Sequence, residues 1–208
     1  MYPNNNNFNN NYSNKSNENL LKETKIEDDK IKELILLGPF ITDEQLKELC
    51  KREFKELKEL NLKGNVISDI KPLETAKFYN LEILDLSVND ISDINILEKV
   101  NFIELKKLYL YENKISDINV LEKVKFIKLK VLELNQNNIS DINVFERVNF
   151  KELKELNLNT NHIFDIKVFE KVKFNKLEKL RLFNNEIDKE ENKDLIENLK
   201  NKVKKIFI

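Results

Sequence analysis

An α/β solenoid is the fold class this sequence predicts: a right-handed stack of short repeats, with a concave parallel β-sheet inside and short convex α or 3₁₀ helices outside. Three observations predict it. The chain says nearly the same thing every 24 residues: NDISDINILEKVNF at 89–102, NKISDINVLEKVKF at 113–126 and NNISDINVFERVNF at 137–150. Each copy carries alternating leucines, such as Leu108 and Leu110, which is the period of a half-buried strand. The strand stands at the same phase in every copy, so stacked copies lie with their strands parallel. No copy can bury its apolar stripe alone, and each must lean on its neighbours.

Residues 1–25 are an Asn-rich tail with little apolar surface to bury, and they are expected to be disordered. Residues 26–53 read as an N-terminal capping repeat. It keeps a strand around Leu34 and Leu36 and a turn at Ile41, with Pro39 where later copies have Asn. Its helix, expected from 42 to about 52, is longer than the others and richly charged, with one face for the core and one for water.

Residues 54–185 hold the 24-residue repeats. Phe54, Phe78, Phe102, Phe126, Phe150 and Phe174 keep that spacing and are expected to form a spine. Asn65, Asn89, Asn113, Asn137, Asn161 and Asn185 keep it too. An amide offers two donors and an acceptor, which suits the backbone groups left unpaired where a strand turns. In the return segment Asn95, Asn119 and Asn143 stand three residues before Glu98, Glu122 and Glu146, the logic of a capping box. Pro72 suits a first helical position. A short helix is therefore expected over about 96–101 and its equivalents, with Ile94, Leu97 and Val100 inward and the Glu–Lys pairs in solvent. Residues 186–208 read as a long helix to 202 and a last strand, in which Ile206 aligns with Leu180. The chain is expected to be a monomer, or to dimerise through that open strand edge, or to be a truncated array.

Composition removes several function classes. Lys and Arg number 36 against 37 Asp and Glu, a formal net charge of −1, so no strong field of one sign points to nucleic acid or an anionic membrane. The lone Cys50 has no partner for a disulfide and is expected to pack as a small apolar residue. No N-terminal signal region is evident, and no apolar run approaches the ~20 residues that cross a bilayer. A soluble cytoplasmic protein, with a nuclear one also open, is expected. Two glycines, Gly38 and Gly64, make no phosphate-cradling loop. The single histidine, His162, occupies a slot that elsewhere holds Val66, Asp90, Lys114, Asn138 and Glu186, which marks it as a solvent position. No catalytic, cofactor or metal site is expected, and the chain reads as a non-enzyme.

The sheet face is different, because its outward positions vary while the leucines do not. Between the strand leucines stand Asn61, Asp85, Tyr109, Glu133, Asn157 and Arg181. Two residues on stand Lys63, Ser87, Tyr111, Asn135, Asn159 and Phe183, and two before stand Glu59, Ile83, Lys107, Val131, Glu155 and Lys179. The balanced charges argue against a nucleic-acid groove. Tyr109, Tyr111 and Phe183 are of the type that anchors protein interfaces. With Ile83 and Val131 they make a candidate patch flanked by Asp85 and Glu133, and Asn157 and Arg181 extend it. Phe164, where other copies have Ser, is a second exposed apolar candidate.

The L-x-x-L-x-L-x-x-N segment, present in six copies, resembles the leucine-rich repeat family, and the resemblance covers roughly residues 31–208. The following N-x-I-x-D-I-x-x-L/F-E half resembles the subclass found in the leucine-rich regulatory subunit of type-1 protein phosphatase, in axonemal dynein light chain and in bacterial internalins. The resemblance implies a protein–protein interaction module whose concave face takes a protein partner. Its more specific alternative is a regulatory subunit of a serine/threonine protein phosphatase.

Overall fold

The structure, a computed structural model, describes residues 30–172 and 174–208. The predicted disordered tail lies outside the described residues. Eight three-residue strands form one parallel sheet in chain order: β1 (Glu33–Ile35), β2 (Glu59–Asn61), β3 (Ile83–Asp85), β4 (Lys107–Tyr109), β5 (Val131–Glu133), β6 (Glu155–Asn157), β7 (Lys179–Arg181) and β8 (Lys205–Phe207). The middle residues pair in one row, Leu34, Leu60, Leu84, Leu108, Leu132, Leu156, Leu180 and Ile206. Every strand leucine of β2 to β7 is fully buried. The predicted register therefore holds through both end copies.

Behind the sheet runs the return layer. Helix α1 (Asp43–Cys50) opens with a capping box in which Gln45 N–H donates to the Thr42 hydroxyl and the Gln45 side chain accepts from Thr42 N–H. Leu46, Leu49 and Cys50 face the core, and burial pushes the Cys50 thiol up to about 12. Four 3₁₀ helices follow at Lys71–Thr75, Asn95–Glu98, Asn119–Glu122 and Asn143–Glu146. Their apolar residues explain the type: Ile94, Leu97 and Val100 are three apart, and side chains at i and i+3 eclipse in a 3₁₀ helix. All three are buried. The next copy has one turn of α-helix instead, α2 (Val168–Lys171), and α3 (Lys193–Lys202) closes the stack.

Three local expectations are corrected. The return helices have no capping box, because Asn95, Asn119 and Asn143 are already helical. The Asp two residues earlier does the work: Asn95, Asn119 and Asn143 N–H donate to Asp93, Asp117 and Asp141 at 2.8–2.9 Å. A short carboxylate that bonds two residues ahead sets a tight turn just before the helix. Pro72 stands second in its helix, after Lys71. Helix α3 begins at Lys193, seven residues later than expected, because Asp188 accepts from both Glu190 and Glu191 N–H and holds 188–191 in a turn.

The Phe spine is present in graded form. Phe54, Phe78, Phe102, Phe126 and Phe150 are buried, while Phe174 is half-buried. Phe78 lies 5.6 Å from Phe54 edge-on and 6.3 Å from Phe102 in a stack. Phe174 instead meets Phe145 at 6.0 Å, because Phe145 fills the slot of Leu97 and Leu121. Lysine–glutamate pairs one copy apart, such as Lys106–Glu82 and Lys128–Glu104 at 2.6 Å, lace the outer surface. Such pairs are worth at most about 1 kcal/mol each.

The Asn column ties copy to copy. Asn137 Oδ1 accepts from Ile115 N–H at 3.0 Å, and its Nδ2 donates to Leu110 O at 3.0 Å and Leu134 O at 3.1 Å. Each column member thus reaches back to the preceding copy. This explains Pro39: the first copy has no predecessor to reach. Its own groups, Ile41 N–H and Leu36 O, are met by Asn65 at 2.9 and 2.7 Å.

The residue before each column Asn is left-handed: Gly64, Val88, Glu112, Gln136, Thr160 and Asn184, with φ between 55° and 74°. Only Gly64 and Asn184 suit that region. Val88, β-branched at φ 58°, is strained by roughly 1–2 kcal/mol. Val88→Asn is therefore expected to raise stability by about 1 kcal/mol in urea unfolding. An unchanged or lowered midpoint would show that the left-handed turn carries no strain there.

Candidate inner-face site

Strand alternation places the predicted face residues on one surface, and the register sets them in columns. One column runs Ile35, Asn61, Asp85, Tyr109, Glu133, Asn157, Arg181, Phe207. Beside it runs Glu59, Ile83, Lys107, Val131, Glu155, Lys179. Lys107 therefore separates Ile83 from Val131, and the apolar patch expected around the tyrosines is interrupted by a cation.

Tyr109 is half-buried between Asp85 and Glu133. Burial, then the carboxylates of Glu133, Asp85, Glu59 and Glu155, push its phenol up to about 12. It stays a neutral hydrogen-bonding ring. Tyr111 is also half-buried, and the Lys63 ammonium lies 5.1 Å from its ring centroid. A hydrogen bond to Tyr111 is the main reason that Lys63 is held above the ordinary lysine range.

Lys63 and Tyr111 flank Ser87, which is fully buried with no partner for its hydroxyl among the described residues. Sequence reasoning set Ser87 on the open face. Its small side chain sinks between two long neighbours that close toward each other, and this corrects the reading.

The far half of the face is a polar network. Glu133 accepts from Asn157 Nδ2 at 2.5 Å and lies 3.5 Å from Arg181. Arg181 also lies 3.9 Å from Glu155, which accepts from Lys179 Nζ at 2.7 Å. Burial is the largest influence on the Glu133 carboxyl and raises it. Asn157 itself is buried, with its amide shared between Glu133, Asn135 and the Asn159 N–H. It positions Glu133 more than it faces solvent. These contacts join face positions one or two copies apart, but the residue types at those positions follow no period, so no sequence signal announces the pairings.

Phe183 is open, 62% exposed, with its N–H donated to Asn159 Oδ1 at 2.8 Å. It borders a cleft of about 980 Å³ between the end of the sheet and α3. Phe164 is equally exposed, on the turn edge. His162 stands at the surface beside Glu186, with Nδ1 to Oε1 3.0 Å, in keeping with a solvent slot. No helix among the described residues is long and apolar enough to cross a membrane.

Comparisons with known proteins agree with this architecture. Residues 55–99, 79–123 and 103–146 match the family profile described as Leucine Rich repeats (2 copies). A comparison with curated proteins found no match. Among solved structures, an internalin (InlF) from Listeria monocytogenes is 33% identical with a TM-score of 0.61, over 74% of this chain and 42% of that one. The leucine-rich-repeat protein LIC12759 of Leptospira interrogans is 24% identical with a TM-score of 0.65, over 86% and 49%. The TLR13–ssRNA13 complex is 27% identical with a TM-score of 0.51, over 61% and 19%. The chain thus spans less than half the length of each of these three.

Proposed function

We propose that this chain, with the fold of a leucine-rich-repeat solenoid, is a protein-recognition module whose inner face takes a protein partner. Leucine-rich-repeat proteins generally mediate protein–protein interaction, and one observation carries the reading to this face. Its side chains are the ones the stack leaves free to vary, and among them Tyr109, Tyr111 and Phe183 stand where a rigid sheet holds them. A preformed surface binds with little ordering cost, so a few aromatic anchors and matched charges suffice for affinity. Ile83 and Val131 supply flanking apolar contact. Asp85, Glu133 and Arg181 supply charge, with Asn157 holding Glu133 in place.

The test is Tyr109→Ala combined with Tyr111→Ala. Partner capture from a lysate should fall about tenfold or more, as for interface hot spots, while the melting temperature shifts by only a few degrees (about 2–4 °C). Equal capture of the same proteins by the double variant would remove the tyrosines from the site. The narrower reading, a regulatory subunit of a serine/threonine phosphatase, requires the catalytic subunit of such a phosphatase among the captured proteins.

A further inference from the structure

The C-terminal cleft differs from the rest of the inner face in both charge and polarity, and we infer that it is the seat for an acidic peptide segment carrying an aromatic or aliphatic anchor. The inference rests on the inner face being a protein-recognition surface, and it names the chemistry of the ligand at one end of it.

The cleft's apolar floor comes from Phe183, Ile206 and Phe207, and Ile196 of α3 closes its side. Phe183 and Phe207 are 62% and 48% exposed, a large aromatic area to leave in water within one cleft. The rim is cationic: Arg181, Lys189, Lys193 and Lys200 all line it, and Glu197 is the one acidic side chain among the residues that line it. Arg181 is already shared by Glu133 and Glu155, and Lys189 donates to Ile208 O at 3.0 Å. Lys193 and Lys200 make no ion pair among the described residues. They stand seven residues apart, two turns of α3 or about 10 Å. That span matches carboxylates a few residues apart on a bound peptide, with its apolar side chain between them on the two phenylalanines.

Exposed aromatics with cations also suit single-stranded nucleic acid. Here, however, a strand continuing along the sheet would meet Glu155, Glu133 and Asp85 within a few copies, so its phosphates would be repelled beyond the cleft. A bilayer is disfavoured by shape, since the apolar residues line a concavity and do not project.

The test is fluorescence anisotropy of a fluorescein-labelled peptide, Glu-Asp-Glu-Phe-Glu-Asp-Leu-Glu, against the same peptide with Lys at every acidic position. The acidic peptide should bind at least tenfold more tightly than the basic one, and binding should weaken as salt shortens the Debye length. Lys193→Glu with Lys200→Glu, and separately Phe183→Ala, should each weaken it about tenfold, the loss of one hot-spot contact. These side chains are exposed, so the variants keep the fold, and circular dichroism checks that they do. Unchanged affinity in the variants, equal binding of the basic peptide, or tighter binding of a uridine decamer or of phosphatidylserine vesicles would overturn the assignment. Peptide failure alongside capture that still depends on Tyr109 and Tyr111 would remove this cleft and leave inner-face recognition standing.

Discussion

Phe102→Ala is expected to destabilise the protein by about 3–5 kcal/mol, the usual range for emptying a buried Phe site. The ring is fully buried and stacks on Phe78 at 6.3 Å. It sits between copies that touch only their neighbours, so the cavity has few ways to collapse without tilting one half of the stack on the other. In a nearest-neighbour array the weakened interface should become the point of division. Urea unfolding followed by circular dichroism should therefore show a lower midpoint and a broader or two-step transition. Ile103→Ala is the matched control: Ile103 is 46% exposed and should change stability by less than about 0.5 kcal/mol. Equal effects of the two substitutions would show that the Phe column is not what joins the copies.

The legible part of this fold is the part that repeats. The 24-residue period placed β2 to β7, and steps of 26, from Leu34 to Leu60 and from Leu180 to Ile206, carried the same row to the two end strands, because core positions recur wherever neighbouring copies need them. The left-handed residue before each column Asn went unread for the opposite reason. Backbone closure imposes it on whichever residue stands there, so Glu112 and Gln136 adopt it without any glycine to announce it. The capping role was assigned to Asn95 because Asn and Glu three apart match a familiar pattern, while the working group was the Asp two residues earlier.

At the site, strand alternation sufficed to list the face residues, yet their company had to come from the structure. Lys63 over Tyr111 joins residues two copies apart, and the closure of that pair over Ser87 depends on the sizes of three side chains at once. The aromatic cleft at the C-terminal end was equally hidden. Phe183 belongs to a repeat, whereas Lys193 and Lys200 belong to the closing helix, and only the docking of α3 brings them together.

Asn137→Ala should cost about 2–3 kcal/mol, toward the upper part of the penalty for stranding a buried polar group. The amide serves two copies at once. Its Oδ1 satisfies Ile115 N–H, and its Nδ2 satisfies carbonyls on Leu110 and Leu134. All of these lie in buried turns, and Asn137 itself is 6% exposed, so water has poor access to replace the lost bonds. Asn137→Asp probes the same site with nearly the same shape. It keeps the acceptor for Ile115 N–H but turns a donor pair into a charge facing two carbonyl oxygens, so it should be at least as harmful as Ala at neutral pH. Acidification that protonates the carboxyl should then recover part of the loss. Thermal melts of the wild type, Ala and Asp forms across pH 4–7.5 separate the cases. If Asn137→Ala melts within about 1 °C of wild type, the amide column is a consequence of the stacking and does not contribute to it. The Phe and Leu layers would then carry the cohesion between copies by themselves.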